Sequence, residues 1–191
     1  IDSEGQFATD TIEITVLAPL RGVTTAGDLV ISEAMVNPGP ATGVDGEWFE
    51  IYNPTDNRLD LTGLTIRDDG TDFHVLAGSI VLDPKSYFVL GRTRDVGLNG
   101  GAPVDYVYGT FFTMADDMDS IVLEMGPTTI DRVAYDALTW PIEEGIAMSL
   151  SGNMMADDLN DLPENWCQPS TPYGTVGLRG PPQEDNPTCV P

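Results

Sequence analysis

The sequence predicts an all-β sandwich with an irregular, disulfide-closed C-terminal tail. Three observations carry that expectation. Short segments alternate apolar and polar residues with period two. The chain's 15 prolines and 20 glycines interrupt it every few residues, which long helices do not survive but short strands joined by turns do. Its two cysteines, Cys167 and Cys189, both lie near the C-terminus.

The first segment reads as an acidic turn followed by a strand. In Thr11-Ile12-Glu13-Ile14-Thr15-Val16 the alternation is strict and the β-branched content high. Ala18-Pro19-Leu20-Arg21-Gly22 then breaks the pattern and reads as a linker. The body spans 23–152. Strands are expected near 29–35, 47–53, 64–68, 73–75, 87–91, 105–108, 120–125, 129–135 and 146–150. Turn signals part them, among them Asn37-Pro38-Gly39-Pro40, Asn53-Pro54, Asp83-Pro84, Asn99-Gly100-Gly101 and Gly126-Pro127. Only 141–145 and 157–162 could hold a helical turn. Core candidates are Trp48, Ile51, Leu64, Ile66, Phe88, Leu90, Ile121, Leu123, Val133 and Tyr135. In the strand at 47–53, Trp48, Glu50 and Tyr52 share one face, and Phe49 and Ile51 the other.

The tail at 153–191 has little periodicity and cannot form a core of its own. Trp166 and Tyr173 are its expected anchors on the sandwich. A Cys167–Cys189 disulfide would close a loop of about twenty residues, contribute about 3 kcal/mol by chain entropy, and place the chain in an oxidising compartment. Two unpaired thiols are the alternative.

Formal charge is −23, from 8 basic and 31 acidic residues. Such a chain repels phosphate backbones and anionic lipid, so nucleic-acid binding is not expected. No apolar run approaches the roughly 18 residues of a membrane span. The acidity reads as a solubilising coat or as divalent-cation binding, and the two are compatible. Oxygen-rich loops suited to Ca²⁺ are Asp116-Asp117-x-Asp119, which ranks first, then Asp68-Asp69-Gly70-x-Asp72 and Asp157-Asp158-x-Asn160-Asp161. The EF-hand spacing is absent. A zinc site is poorly supported by a single histidine, His74, and two isolated cysteines. His74 has no Ser or Cys nucleophile beside it in sequence. No nucleophile elbow, phosphate loop, dinucleotide fingerprint or His-Glu-x-x-His occurs. No catalytic residue and no cofactor other than Ca²⁺ is therefore expected.

The succession Leu29-Val30-Ile31-Ser32-Glu33-Ala34-Met35-Val36-Asn37-Pro38, Gly46-Glu47-Trp48-Phe49-Glu50-Ile51-Tyr52-Asn53, and Leu59-Asp60-Leu61-Thr62-Gly63-Leu64-Thr65-Ile66 resembles the lamin-tail domain family. Tyr87-Phe88-Val89-Leu90-Gly91, Asp119-Ser120-Ile121-Val122-Leu123 and Ile130-Asp131-Arg132-Val133-Ala134-Tyr135 continue the resemblance in order. The ending Trp166-Cys167, Thr171-Pro172-Tyr173-Gly174 and Asn186-Pro187-Thr188-Cys189 is similar to secreted bacterial versions, with Tyr173 as a departure. Asp2, Gly5, Asp10 and the strand from Thr11 to Val16 resemble the close of a PKD-like or cadherin-like module.

The resemblance implies an immunoglobulin-like sandwich in an exported bacterial protein of several domains, acting as a non-enzymatic interaction or tethering unit at the cell surface. Two other roles fit the residues. One is a structural subunit that self-assembles when the Thr11 to Val16 strand completes a neighbour's sheet. The other is an accessory binding domain of a secreted hydrolase. The partner is a protein or an extracellular polymer. The chain begins at Ile1 and reads as a fragment or processed product, with residues 1–22 as the end of a preceding module or an exchanged strand.

Overall fold

The computed structural model describes residues 16–174 and 177–190. The expected N-terminal strand lies outside them, apart from Val16.

Among the described residues there are fifteen short strands. They are β1 (Leu20–Gly22), β2 (Val30–Met35), β3 (Trp48–Tyr52), β4 (Arg58–Asp60), β5 (Thr65–Arg67), β6 (Phe73–Val75), β7 (Val81–Leu82), β8 (Tyr87–Gly91), β9 (Tyr106–Val107), β10 (Met118–Met125), β11 (Thr128–Asp136), β12 (Met148–Leu150), β13 (Trp166–Cys167), β14 (Pro172–Tyr173) and β15 (Leu178–Arg179). A six-stranded sheet runs β13-β12-β2-β3-β8-β9, and a four-stranded sheet runs β11-β10-β5-β6. A small sheet, β1-β4-β7, and the β14-β15 ribbon complete the fold.

The two larger sheets bury a continuous apolar layer that includes Ile31, Phe49, Ile51, Leu64, Ile66, Leu90, Ile121, Leu123, Val133 and Tyr135. Each such side chain contributes about 1.5–3 kcal/mol by leaving water. Asp131 of β11 ties the sheets together. Its carboxylate accepts the Ile31 N–H at 2.5 Å and the Asn160 side-chain amide at 2.7 Å. Burial pushes its pKa up to about 7, against the pull of those donors.

Three expectations need correction. Leu20–Gly22 is not a free linker; it forms β1, paired parallel to β4. Trp48 is buried as expected, but on the outer side of the six-stranded sheet, in a second cluster with Met35, Val89, Val104 and Leu178. The tail supplies this cluster's cover, so the sandwich has a third layer on one side. Single 3-10 turns form at Gly43–Gly46 and Pro163–Asn165, outside the two places open to a helical turn, and at 141–145 Glu143 bridges Ile146. A single hydrogen-bonded turn does form at 157–161.

Cys167 and Cys189 form a disulfide with Cα atoms 5.6 Å apart. Trp166 packs against Trp140, and Tyr173 against Trp48, as edge-on or tilted ring pairs. No described helix is long and apolar enough to cross a membrane.

Candidate functional site

Three places could hold chemistry or a partner: the aspartate loops, the buried glutamates, and the edge where β6 meets β9.

The fold brings two of the three acidic loops together. Asp69 and Gly70 line one shallow depression with Met118, Asp119, Ser120 and Asp136. Burial raises the pKa of Asp119, and the nearby charges of Asp68 and Asp72 add to the shift. Yet these carboxylates already have partners. Asp119 accepts the Ala115 and Ser120 N–H groups at 2.9 and 2.8 Å. Asp68 closes its own turn by accepting the Gly70 and Asp72 N–H groups, each at 2.9 Å. Asp69 pairs with Arg132 and Arg67. Asp116 stands near Glu47 on the wall of a different depression, and Asp117 is exposed. Among the described residues, no three acidic, histidine or cysteine side chains converge tightly enough to hold a metal ion. In the third loop, Asp157 lies against Gly27 and Asn160 is wholly buried.

The buried glutamates are Glu33, Glu47 and Glu50. Glu47 accepts the Met114 N–H at 3.2 Å and lies 4.0 Å from Arg92. Burial pushes its pKa up to about 7. Glu33 and Glu50 are directly opposite in the β2–β3 register and fully buried on the outer face of the six-stranded sheet. They form an acid–acid pair of the kind that could do proton transfer, but the tail covers both. A substrate has no route to them in this conformation.

The open site is the β6–β9 edge. Each strand ends its own sheet, and His74 joins them through a 2.8 Å hydrogen bond between Nε2 and the Tyr106 hydroxyl. Burial lowers the His74 pKa. The Phe111 ring stacks on His74 at 5.5 Å and 26°. Phe73, Val75, Val107 and Phe111 are 60, 46, 38 and 65% exposed, an apolar rim uncommon on an acidic surface. In β6 the bonded positions alternate: Leu76 donates to Leu64 and Asp68 to Asp72. The register pairs His74 with Ile66, so Phe73 and Val75 direct their own N–H and C=O groups to the open edge. Sequence reasoning singled out His74 and the β6 strand but not this edge. Tyr106 is 32 residues from His74 and Phe111 lies in a loop without periodicity, so no local signal pointed there.

A sandwich of two packed antiparallel-rich sheets, with a disulfide-tied tail, defines an immunoglobulin-like domain. The Lamin Tail Domain family model matches residues 23–137, more than half of the chain, and the chain belongs to that family. No curated protein matches it.

Proposed function

We propose that this domain is a non-enzymatic interaction and tethering module of a larger exported protein, and that the β6–β9 edge is its contact surface. The exposed Phe73, Val75, Val107 and Phe111 around the His74–Tyr106 bridge carry this reading. They combine apolar area with strand backbone that no described strand pairs, which is what an extended partner segment needs for strand addition. The disulfide supports an oxidising, extracellular setting. Family membership supports a binding role, since the fold alone assigns no reaction.

The open backbone of β6 also favours the self-assembly reading, in which the Thr11 to Val16 strand of another copy adds to this edge. Light scattering on the full chain and on a form lacking the first 20 residues separates the two. Concentration-dependent dimers that vanish on truncation support self-assembly. A monomer in both forms leaves a foreign partner. Arrays of extracellular-matrix proteins and polysaccharides then test that partner: binding lost in Phe73→Asp and Phe111→Asp supports this edge, and binding retained in both contradicts it.

A further inference from the structure

The six-stranded sheet buries two carboxyl groups that have no counter-ion. Glu33 and Glu50 face each other across β2 and β3 at zero exposure. Ser149 Oγ donates to Glu33 Oε1 at 2.8 Å, and Ser32 Oγ to Glu50 Oε1 at 2.9 Å. The other Glu33 oxygen, Oε2, has no partner among the described residues. Among the described residues, neither carboxyl is in an ion pair with Arg or Lys. Two like charges placed so would repel each other in a low-dielectric site and keep an orphaned oxygen out of water.

The lid over this pair is the tail. The Gln183 N–H donates to Glu50 Oε2 at 2.6 Å, and its side-chain amide to Asp105 at 2.7 Å. The Asn186 side-chain amide donates to the Ser32 carbonyl at 2.8 Å, and the Tyr87 hydroxyl to Asp185 at 3.2 Å. Gly180 sits so close that a Cβ there would lie 2.8 Å from Glu33 Oε1 and 3.4 Å from the Trp48 ring. Trp48 Nε1 donates to the Tyr173 hydroxyl at 2.9 Å and closes the lid's side. Cys189 anchors its far end to Cys167.

We infer that residues 177–188 are a pH-sensitive cover over the outer face of the six-stranded sheet, closed while the Glu33–Glu50 pair holds protons and loosened when the pair ionises. The charge of Asp105 adds to the rise of Glu50. Asp105 and Tyr87 face the pair from the β8–β9 side, Tyr52 from β3, and Tyr173 and Asp185 from the tail. Arg94 donates to the carbonyls of Val104 and Asp105 rather than to either glutamate. Arg179 and Glu184 of the cover are exposed. Burial pushes Glu50 up to about 8, and raises Glu33 too, with the Glu50 charge adding to that rise. Loosening would uncover Trp48, Met35 and Val89 beside two fresh carboxylates, an amphipathic face that the closed form hides.

The test is amide hydrogen exchange on the intact, disulfide-bonded chain, corrected for the intrinsic pH dependence of exchange. Protection at Gln183 should fall about 100-fold from about pH 5 to about pH 9, while Ile121 and Val133 keep theirs. In Glu33→Gln/Glu50→Gln the Gln183 protection should not vary with pH. A pH-independent Gln183, an equal loss at the two core amides, or the same fall in the double variant would overturn the inference. A carboxyl-carbon NMR titration of the wild type needs no variant. Midpoints for Glu33 and Glu50 well above the ordinary glutamate range support the cover, and ordinary midpoints refute it.

Discussion

The two sheets bury the same kind of inner face but treat their outer faces differently. The outer face of the six-stranded sheet carries Met35, Trp48, Glu50 and Val89, and the tail roofs it with Tyr173, Leu178, Gly180 and Gln183. Among the described residues, nothing roofs the outer face of the four-stranded sheet. It carries Arg67, Glu124 and Arg132, with Phe73 and Val75 at its edge. Even there Val122 is fully buried, with Arg67 and Arg132 as its neighbours in register. An irregular tail can thus act as a third layer when the sheet beneath it offers aromatic and polar anchors. A face screened by arginine and glutamate needs no such layer.

The sharpest break of this comparison is truncation on each face. Trp48→Ala removes a buried indole and the Tyr173 hydrogen bond, and should lower the unfolding free energy by about 3–5 kcal/mol in chemical denaturation. Phe73→Ala, on the open edge, should change it by no more than about 0.5 kcal/mol. Equal costs would erase the distinction.

Raising pH should act next. Glu50, Glu47 and Asp131 have pKa values pushed by burial to about 8, 7 and 7, from ordinary values of 4.5, 4.5 and 3.8. A raised carboxyl holds its proton in the folded chain after the unfolded chain has lost it. Stability is therefore greatest near pH 4, because Asp28, held low by Arg21, loses its pairing in stronger acid, and it declines by several kcal/mol from there to about pH 8. Urea titrations across that range check the sign. A rise in stability with pH would show these groups to be ionised and paired in the native chain.

The disulfide should matter to a similar or slightly smaller extent. Cys167→Ser/Cys189→Ser should cost about 3 kcal/mol, with protection lost first at Gln183 and Asn186 and last in β10 and β11. The smallest effect is expected from calcium. Melting temperatures in excess EDTA and in millimolar Ca²⁺ should agree within about 1 °C, since Asp68, Asp69 and Asp119 already have hydrogen-bond or ion-pair partners. A rise of several degrees would mean that those loops rearrange around a cation.

The long strands are legible because runs rich in β-branched and aromatic residues, parted by Gly, Pro and Asn, read as strands. Strands β2, β3, β8, β10 and β11 fall within a residue or two of their expected positions. Strands β4, β7 and β13 to β15 were not expected, since two or three residues cannot display a period. The lone acids in Val30-Ile31-Ser32-Glu33-Ala34-Met35 and Trp48-Phe49-Glu50-Ile51-Tyr52 were the visible sign of something buried and polar. Their pairing was not visible, because a register irregularity between Ile31 and Glu33 brings Glu33 opposite Glu50. The roofing of Trp48 was equally hidden. Tyr173 reaches it from 125 residues away through a tail without periodicity.

Hydroxyl-radical footprinting of the intact chain, read residue by residue by mass spectrometry, tests the unequal treatment of the two outer faces most directly. Phe73, Phe111 and Met118 should be oxidised readily, while Trp48 and Met35 stay unmodified until the chain unfolds. Early oxidation of Trp48 and Met35 in the folded, disulfide-bonded chain would contradict a tail that acts as a third layer.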